Sequence, residues 1–282
     1  MPYLIPDDRL VAMLREDAPY GDLTTRGLAI GERSGQATFR TRSTVTACCT
    51  EEAERIMLLA GCTAARRKAS SGALVDEGGD LLIAEGPAEA IHLGMKVAQT
   101  LMEIASGVAT RARRILSAAR QGRPNIAVAC TRKHLPGAKD VMLKAITAGG
   151  CVPHRLGLSD SVLVFAQHRA FLGRTPPHLW VEQLRIAQPE RKIEVEAETV
   201  DEAAQFAAAG VDAVQLDKLT PEQVAEAVRA IARLPRRPLI AVAGGVTEKN
   251  AAEYAAAGVD LLVTSAAYAA PPADVSVSVT SV

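Results

Sequence analysis

Ala203-Ala204-Gln205-Phe206-Ala207-Ala208-Ala209-Gly210-Val211-Asp212 returns, nearly residue for residue, as Ala251-Ala252-Glu253-Tyr254-Ala255-Ala256-Ala257-Gly258-Val259-Asp260. Each copy reads as an alanine-rich helix closed by a glycine suited to the position just past a helix end. Each then passes through Val-Asp into a short apolar run, Ala213-Val214-Gln215-Leu216 or Leu261-Leu262-Val263-Thr264. Between the copies lies a further unit: Pro221 near a helix start, an amphipathic stretch over 222–233, and a strand at Pro238-Leu239-Ile240-Ala241-Val242. Short apolar strands alternating with helices make βα units and a parallel sheet. Runs at 126–129, 161–165 and 193–197 bring the strands expected after residue 120 to six. The natural packing is a closed or nearly closed α/β barrel; a doubly wound open sheet is the alternative.

The first half is built differently. Strands are expected over 35–41 and 44–48, and a helix over 51–60 ended by Gly61. A turn at Asp76-Glu77-Gly78-Gly79-Asp80 precedes the strand-like Leu81-Leu82-Ile83-Ala84. These predict a smaller α/β layer domain. A long helical pattern over 88–120, apolar at Ile91, Met95, Ala98, Leu101, Met102, Ala105 and Val108, bridges the two halves. Ser106-Gly107 in its middle marks a kink or a close-packing point. The tail Val275-Ser276-Val277-Ser278-Val279 alternates with period two, as an edge strand returning to the first domain does. The expected division is 1–104 together with 269–282, and 105–268 for the barrel.

Composition narrows the function. The 282 residues carry 32 Lys and Arg against 32 Asp and Glu, a net charge of zero, and aromatics are 3%. A nucleic-acid binder usually shows a basic excess and stacking platforms. Met1-Pro2-Tyr3-Leu4-Ile5-Pro6-Asp7-Asp8 lacks the basic and apolar regions of a signal peptide, and no apolar run is long enough to span a bilayer. A cytoplasmic protein without membrane insertion is expected. The five cysteines (Cys48, Cys49, Cys62, Cys130, Cys151) contain no C-x-x-C, so buried reduced thiols are expected rather than zinc or disulfides.

The zero is unevenly distributed. Between residues 130 and 174, seven basic residues (Arg132, Lys133, Lys139, Lys144, Arg155, Arg169, Arg174) face Asp140 and Asp160, a balance of +5, with His134, His154 and His168 in addition. Between 190 and 226, ten acids face three basic residues, a balance of −7. Thr131-Arg132-Lys133-His134 and Gln167-His168 follow early strands, whereas Glu196 closes a later one and Asp217 follows another. The carboxyl ends of barrel strands form the active face. Cations and carboxylates therefore meet across one mouth, as a substrate with several anionic groups and a divalent cation on a diphosphate require. For Glu194-Glu196-Glu198 the competing reading is the solvent face of an edge strand; Lys139 and Arg174 read as surface charges. His134, His154 and His168 lack the spacing of a metal site. Ala243-Gly244-Gly245-Val246 follows a late strand and precedes Thr247-Glu248-Lys249-Asn250, read as a helix start. Gly244 and Gly245, with Ser265, form a phosphate-site candidate, where backbone N–H groups approach an anion.

At Thr131-Arg132-Lys133-His134-Leu135-Pro136-Gly137 and Gly149-Gly150-Cys151-Val152-Pro153-His154-Arg155-Leu156-Gly157-Leu158-Ser159-Asp160 the sequence resembles the quinolinate phosphoribosyltransferases, or carboxylating nicotinate-nucleotide pyrophosphorylases. The likeness extends in order to Gly21-Asp22-Leu23-Thr24-Thr25, Ser106-Gly107-Val108-Ala109-Thr110, Glu194-Val195-Glu196, Leu216-Asp217 and Gly244-Gly245. It implies an N-terminal α/β sandwich domain, an open-faced α/β barrel and a homodimer with shared active sites. It implies that Arg132, His154 and Arg155 hold the dicarboxylate of a pyridine substrate, and that Lys133 lies near substrate and diphosphate. Glu196 and Asp217 would hold the ribose hydroxyls and Mg²⁺ of phosphoribosyl diphosphate. Lys96 stands where the family has an arginine donated by the neighbouring subunit, and keeps its charge without the bidentate fork. His168 and Lys144 complete the substrate-binding set.

Three positions depart from the family pattern. Phe165 replaces a substrate-binding lysine, Pro153 an asparagine, and Leu143 a frequent lysine, with Lys144 adjacent. Losing the lysine at Phe165 removes a charge-assisted contact to a carboxylate. These departures resemble the ModD branch, which is associated with molybdate transport systems. The expectation is a pentosyltransferase that moves phosphoribose to a nitrogen-heterocycle acid through an altered pocket. The alternative is a non-catalytic oxyanion or nucleotide binder linked to molybdate handling; a Schiff-base enzyme using Lys133 is a third reading.

Overall fold

The computed structural model describes residues 5–282, so the first four residues, Met1 to Leu4, lie outside the described residues. The chain packs as two units. One is Met1–Arg113 with His134–Gly150 and Tyr268–Val282; the other is Arg114–Lys133 with Cys151–Ala267. In chain order the elements up to the long helix are α1 (Asp7–Asp17), α2 (Leu23–Gly27), β1 (Ser34–Thr41), β2 (Val45–Thr46), α3 (Thr50–Leu59), β3 (Ala64–Arg67), β4 (Leu74–Val75), β5 (Asp80–Pro87) and α4 (Ala88–Gly122). Then come β6 (Ala127–Cys130), α5 (Lys139–Ala148), β7 (Val152–Pro153), β8 (Val162–Val164), α6 (Ala166–Arg169), α7 (Pro177–Ala187) and β9 (Ile193–Ala197). The last are α8 (Val200–Ala208), β10 (Ala213–Asp217), α9 (Pro221–Ile231), β11 (Leu239–Ala243), α10 (Ala251–Ala256), β12 (Leu261–Thr264) and β13 (Val275–Ser281).

In the first unit, β13, β1, β5 and β3 form an antiparallel sheet in that order. Alternation along β1 buries Ala37 and Phe39 completely, and α3 covers the sheet with Ala53, Ile56 and Met57. Asp22 caps α2 by accepting from Thr24 N at 3.0 Å and Thr25 N at 3.2 Å, which gives the Gly-Asp-Leu-Thr-Thr motif a structural reason. Helix α4 runs unbroken through Ser106-Gly107. That pair is a close-packing point: a Cβ on Gly107 would lie 2.2 Å from Pro271 O, and Ser106 Oγ accepts from Cys48 N at 3.0 Å.

The second unit is an open-faced barrel. Its seven strands are all parallel, in the order β7-β6-β12-β11-β10-β9-β8. This is a cyclic permutation of chain order, the pattern of a barrel opened between β7 and β8. A doubly wound sheet, which grows outward in two directions from a central strand, is excluded. Six strands match the sequence expectation; the seventh, β7, has two residues, one of them proline, and no run to detect. Small side chains fill the interior, where Ala129, Ala241, Ala243 and Val263 pack together.

The repeated decad explains itself in this unit. Gly210 (φ +87°) and Gly258 (φ +96°) turn the chain out of a helix. Val211 and Val259 are buried. Asp212 N donates to Ile193 O, and Asp212 Oδ2 accepts from Ile193 N, both at 2.9 Å. Asp260 does the same with Ile240, at 2.8 and 2.9 Å. Each Val-Asp fastens the start of one strand to the start of the neighbouring one. Among the described residues no helix is long and apolar enough to cross a membrane.

Candidate active site

The carboxyl ends of the barrel strands ring a cavity of about 670 Å³. Going round the sheet, the exits of β7 and β6 bring His154, Arg155, Arg132 and Lys133; β12 brings Ser265; β11 brings Gly244 and Gly245; β10 and β9 bring Asp217, Gln215 and Glu196; β8 brings Phe165. Cations and carboxylates thus share one cavity, with the glycine loop and Ser265 between them. Backbone bonds fix the two cationic loops: Thr131 N donates to Thr264 O, and His154 N to Cys130 O, both at 2.9 Å.

On the cationic side, Arg132 and Lys133 are exposed. His154 Nε2 lies 3.1 and 3.3 Å from the two oxygens of Glu194. Arg155 is buried, and its guanidinium sits 5.5 Å over the Phe165 ring. Burial, reinforced by nearby Arg132, pulls its pKa below the usual arginine value. Such an arginine gains from an anionic partner.

On the acidic side, Glu196 accepts from Gln215 Nε2 at 2.9 Å. Burial first, and then the charge of Asp217, raise the Glu196 pKa. Asp217 pairs with the exposed Lys218 at 3.0 Å. Oxygens of Glu196, Glu198 and Asp217 lie within 4.8 Å of one another. An all-oxygen set of converging carboxylates suits a hard divalent cation. β9 is an inner strand, flanked by β8 and β10, and Glu194 and Glu196 are partly buried beside residues of the interior. The edge-strand reading of this run fails for both; Glu198 alone is exposed.

Gly244 and Gly245 both have positive φ, +86° and +91°. A Cβ on Gly244 would meet Asp217 Oδ1 and Lys218 N at 2.7 Å, so only glycine lets β10 and β11 leave the barrel this close together. Thr247-Glu248-Lys249-Asn250 is a turn rather than a helix start, because Asn250 Oδ1 accepts from Thr247 N at 2.8 Å and its Nδ2 donates to Gly245 O at 3.0 Å. Helix α10 begins only at Ala251. The backbone available to an anion here belongs to the glycine loop.

Three expected site residues stand apart. Lys144, 2% exposed, places Nζ 2.6 Å from both oxygens of Glu52 and 3.1 Å from Glu51, so its charge is committed within the first unit and is not free for a substrate. Lys96 is exposed on α4 and donates to Gln99 Oε1 at 2.8 Å. His168 accepts at Nδ1 from Phe165 N at 3.0 Å and lines a second cavity of about 690 Å³ with Arg155, Asp160 and Trp180. Sequence reasoning passed over Gln215 and the pairing role of Glu194. Both stand at inward positions of β10 and β9, a signal readable only once the strand register is fixed.

Residues 22–106 match the quinolinate phosphoribosyl transferase N-terminal domain, and residues 108–278 the C-terminal domain. The chain belongs to the quinolinate phosphoribosyl transferase family. It is a pentosyltransferase of that family. It is 48% identical over 250 residues to the "Putative pyrophosphorylase ModD" of Rhodobacter capsulatus, covering 89% of this chain and 96% of that protein. It is 34% identical to the "Probable nicotinate-nucleotide pyrophosphorylase (carboxylating)" of Archaeoglobus fulgidus, covering 69% of this chain and 75% of that one. The crystal structure of NadC from Streptococcus pyogenes superposes with a TM-score of 0.91 over 100% of both chains at 24% identity, which shows the shared fold.

Proposed function

We propose that the protein transfers phosphoribose from phosphoribosyl diphosphate to a ring nitrogen of a heterocyclic acid and releases diphosphate. The observation that carries this reading is one cavity lined both by Arg132, Lys133, His154 and Arg155 and by Glu196 and Asp217. A plain oxyanion binder linked to molybdate has use for the first group and none for the second. In the proposed reaction Arg132, His154 and Arg155 orient the acid, and Glu194 keeps His154 in place. The ring-nitrogen lone pair forms the bond to carbon 1 of ribose as the bond from carbon 1 to the diphosphate oxygen breaks, and the electron pair leaves with diphosphate. Glu196 and Asp217 hold the ribose hydroxyls and offset positive charge developing at carbon 1; Lys133 offsets the charge that departs. Gly244, Gly245 and Ser265 receive the 5′-phosphate. Glu196, Asp217 and Glu198 would hold Mg²⁺, which supplies charge neutralisation of the diphosphate. Positioning and electrostatics supply the acceleration, with no covalent enzyme intermediate.

The same proposal includes a homodimer in which Lys96 serves the neighbouring subunit's site. It takes Phe165 as the residue that shifts the acceptor away from quinolinate, since an aromatic ring offers no charge to a second carboxylate. Calorimetry with phosphoribosyl diphosphate and Mg²⁺ tests the core of it. Binding that Glu196→Ala and Asp217→Ala abolish is the expected result. No binding, or binding indifferent to both substitutions, overturns it.

A further inference from the structure

Gln215 lies in the middle of β10, 4% exposed, and lines the cavity. Its register partners are Glu196 on β9 and Ala241 on β11. Asp217 follows on the same face of the strand, about 6.6 Å nearer the exit by strand geometry. Gln215 therefore belongs to the floor of the site, one pleat below the outermost carboxylate. Its Nε2 donates to Glu196 Oε2 at 2.9 Å. Its Oε1 is buried and has no hydrogen-bond partner among the described residues. Turning the amide over would set Oε1 against the carboxylate of Glu196, oxygen against oxygen, so the bond to Glu196 fixes which atom is left over. Leu163, Ala243 and Val263 of the same lining carry no side-chain donor, and none of the donors elsewhere in the lining is bonded to that oxygen.

A buried acceptor left unpaired is costly, and a ligand that brings a donor to it recovers that cost. A site built around such an atom rejects an analogue without the donor far more strongly than an apolar pocket rejects a misfit. Quinolinate at neutral pH carries two carboxylates and a bare ring nitrogen, all of them acceptors. We propose that Gln215 is a specificity-determining residue whose Oε1 accepts a hydrogen bond from an N–H or O–H group on the acceptor. The acceptor is then a heterocyclic acid with an amino, hydroxyl or ring N–H donor on the edge that reaches the cavity floor. This deepens the transfer reading above and rests on it.

The test uses matched probes: nicotinic acid beside its amino- and hydroxy-substituted derivatives. Each is measured by calorimetry for binding, and by diphosphate release in the presence of phosphoribosyl diphosphate and Mg²⁺. The proteins are the unaltered chain and Gln215→Met, which keeps length and bulk and removes the acceptor; Gln215→Leu replaces it if thermal unfolding shows the methionine variant misfolded. Gln215→Met also removes a bond to Glu196, but that loss falls on both members of a pair and cancels in their ratio. The best donor-bearing acid should bind roughly ten-fold or more tightly than its parent, and Gln215→Met should bring that ratio near one. A ratio near one in the unaltered chain, or a ratio that survives Gln215→Met, overturns the inference. So does a rise in KM for phosphoribosyl diphosphate with the ratio intact, which would assign Oε1 to the ribose. Diphosphate release without donor preference overturns this inference and leaves the proposed transfer standing. Donor preference in binding, with no diphosphate released by any acid, overturns the transfer and leaves Gln215 as the donor-reading residue.

Discussion

Asp212 and Asp217 stand at opposite ends of β10 and live in opposite surroundings. Asp212 takes the N–H of Ile193 and two arginines, Arg185 at 3.4 Å and Arg236 at 3.0 Å. Its repeat-mate Asp260 takes Ile240 N, Arg237 at 2.7 Å and Arg123 at 3.5 Å. Asp217 instead gathers with Glu196 and Glu198, like charges drawn together, against a single exposed lysine. One end of the barrel completes its charges; the other leaves them to be completed from outside. Barrels keep stability at the bottom face and chemistry at the top, and here one strand shows both.

The comparison can be broken by substitution. The extreme of the completed kind is Lys144 with Glu52 in the first unit. Lys144→Ala strands a buried carboxylate and should cost about 3–5 kcal/mol in denaturant unfolding. A substrate role for Lys144 would instead appear as a change in KM at unchanged stability. Next, Asp217→Ala and Glu196→Ala should each lower diphosphate release by roughly 10²–10³-fold, in line with the loss of one transition-state stabilising group. The Tm of Asp217→Ala should hold or rise, because it relieves like-charge crowding; Glu196→Gln, which relieves it while keeping an acceptor for Gln215 Nε2, should do the same. A fall in Tm parallel to activity would show those carboxylates to be structural. Asp212→Ala should do the reverse, costing about 1–3 kcal/mol of stability through unpaired backbone and arginine groups with kcat unchanged. The smallest effect separates the two repeats. Gly210→Ala and Gly258→Ala both strain a positive φ, at roughly 1–2 kcal/mol. The second should cost slightly more, because its new Cβ would lie 3.3 Å from Val228 Cγ1 while Gly210 has open space.

The barrel was legible because its helices and strands differ in hydrophobic period, and because the Gly-Val-Asp repeat marks each crossing from one to the other. β7 was not, since a two-residue strand has no period. The charge asymmetry placed Arg132, Lys133, Glu196 and Asp217 on one mouth, and the register brings all four to one cavity. Lys144 misled because a lysine in a basic segment looks available, and nothing local in 139–148 shows that its partners, Glu51 and Glu52, come from a distant helix. Gln215 stayed hidden inside an apolar run for the complementary reason. Its importance lies in one atom that the fold leaves over, and a leftover can be counted only after every bond is drawn.

An opened barrel has two free sheet edges, and free edges invite other strands to pair. Here one edge is Val152–Pro153, in which the proline lacks an N–H, and the other is the three-residue Val162–Val164. Neither offers the run of alternating donors and acceptors on which a foreign strand could register. The irregularity that concealed β7 from the sequence pattern thus also guards the seam against edge-to-edge aggregation.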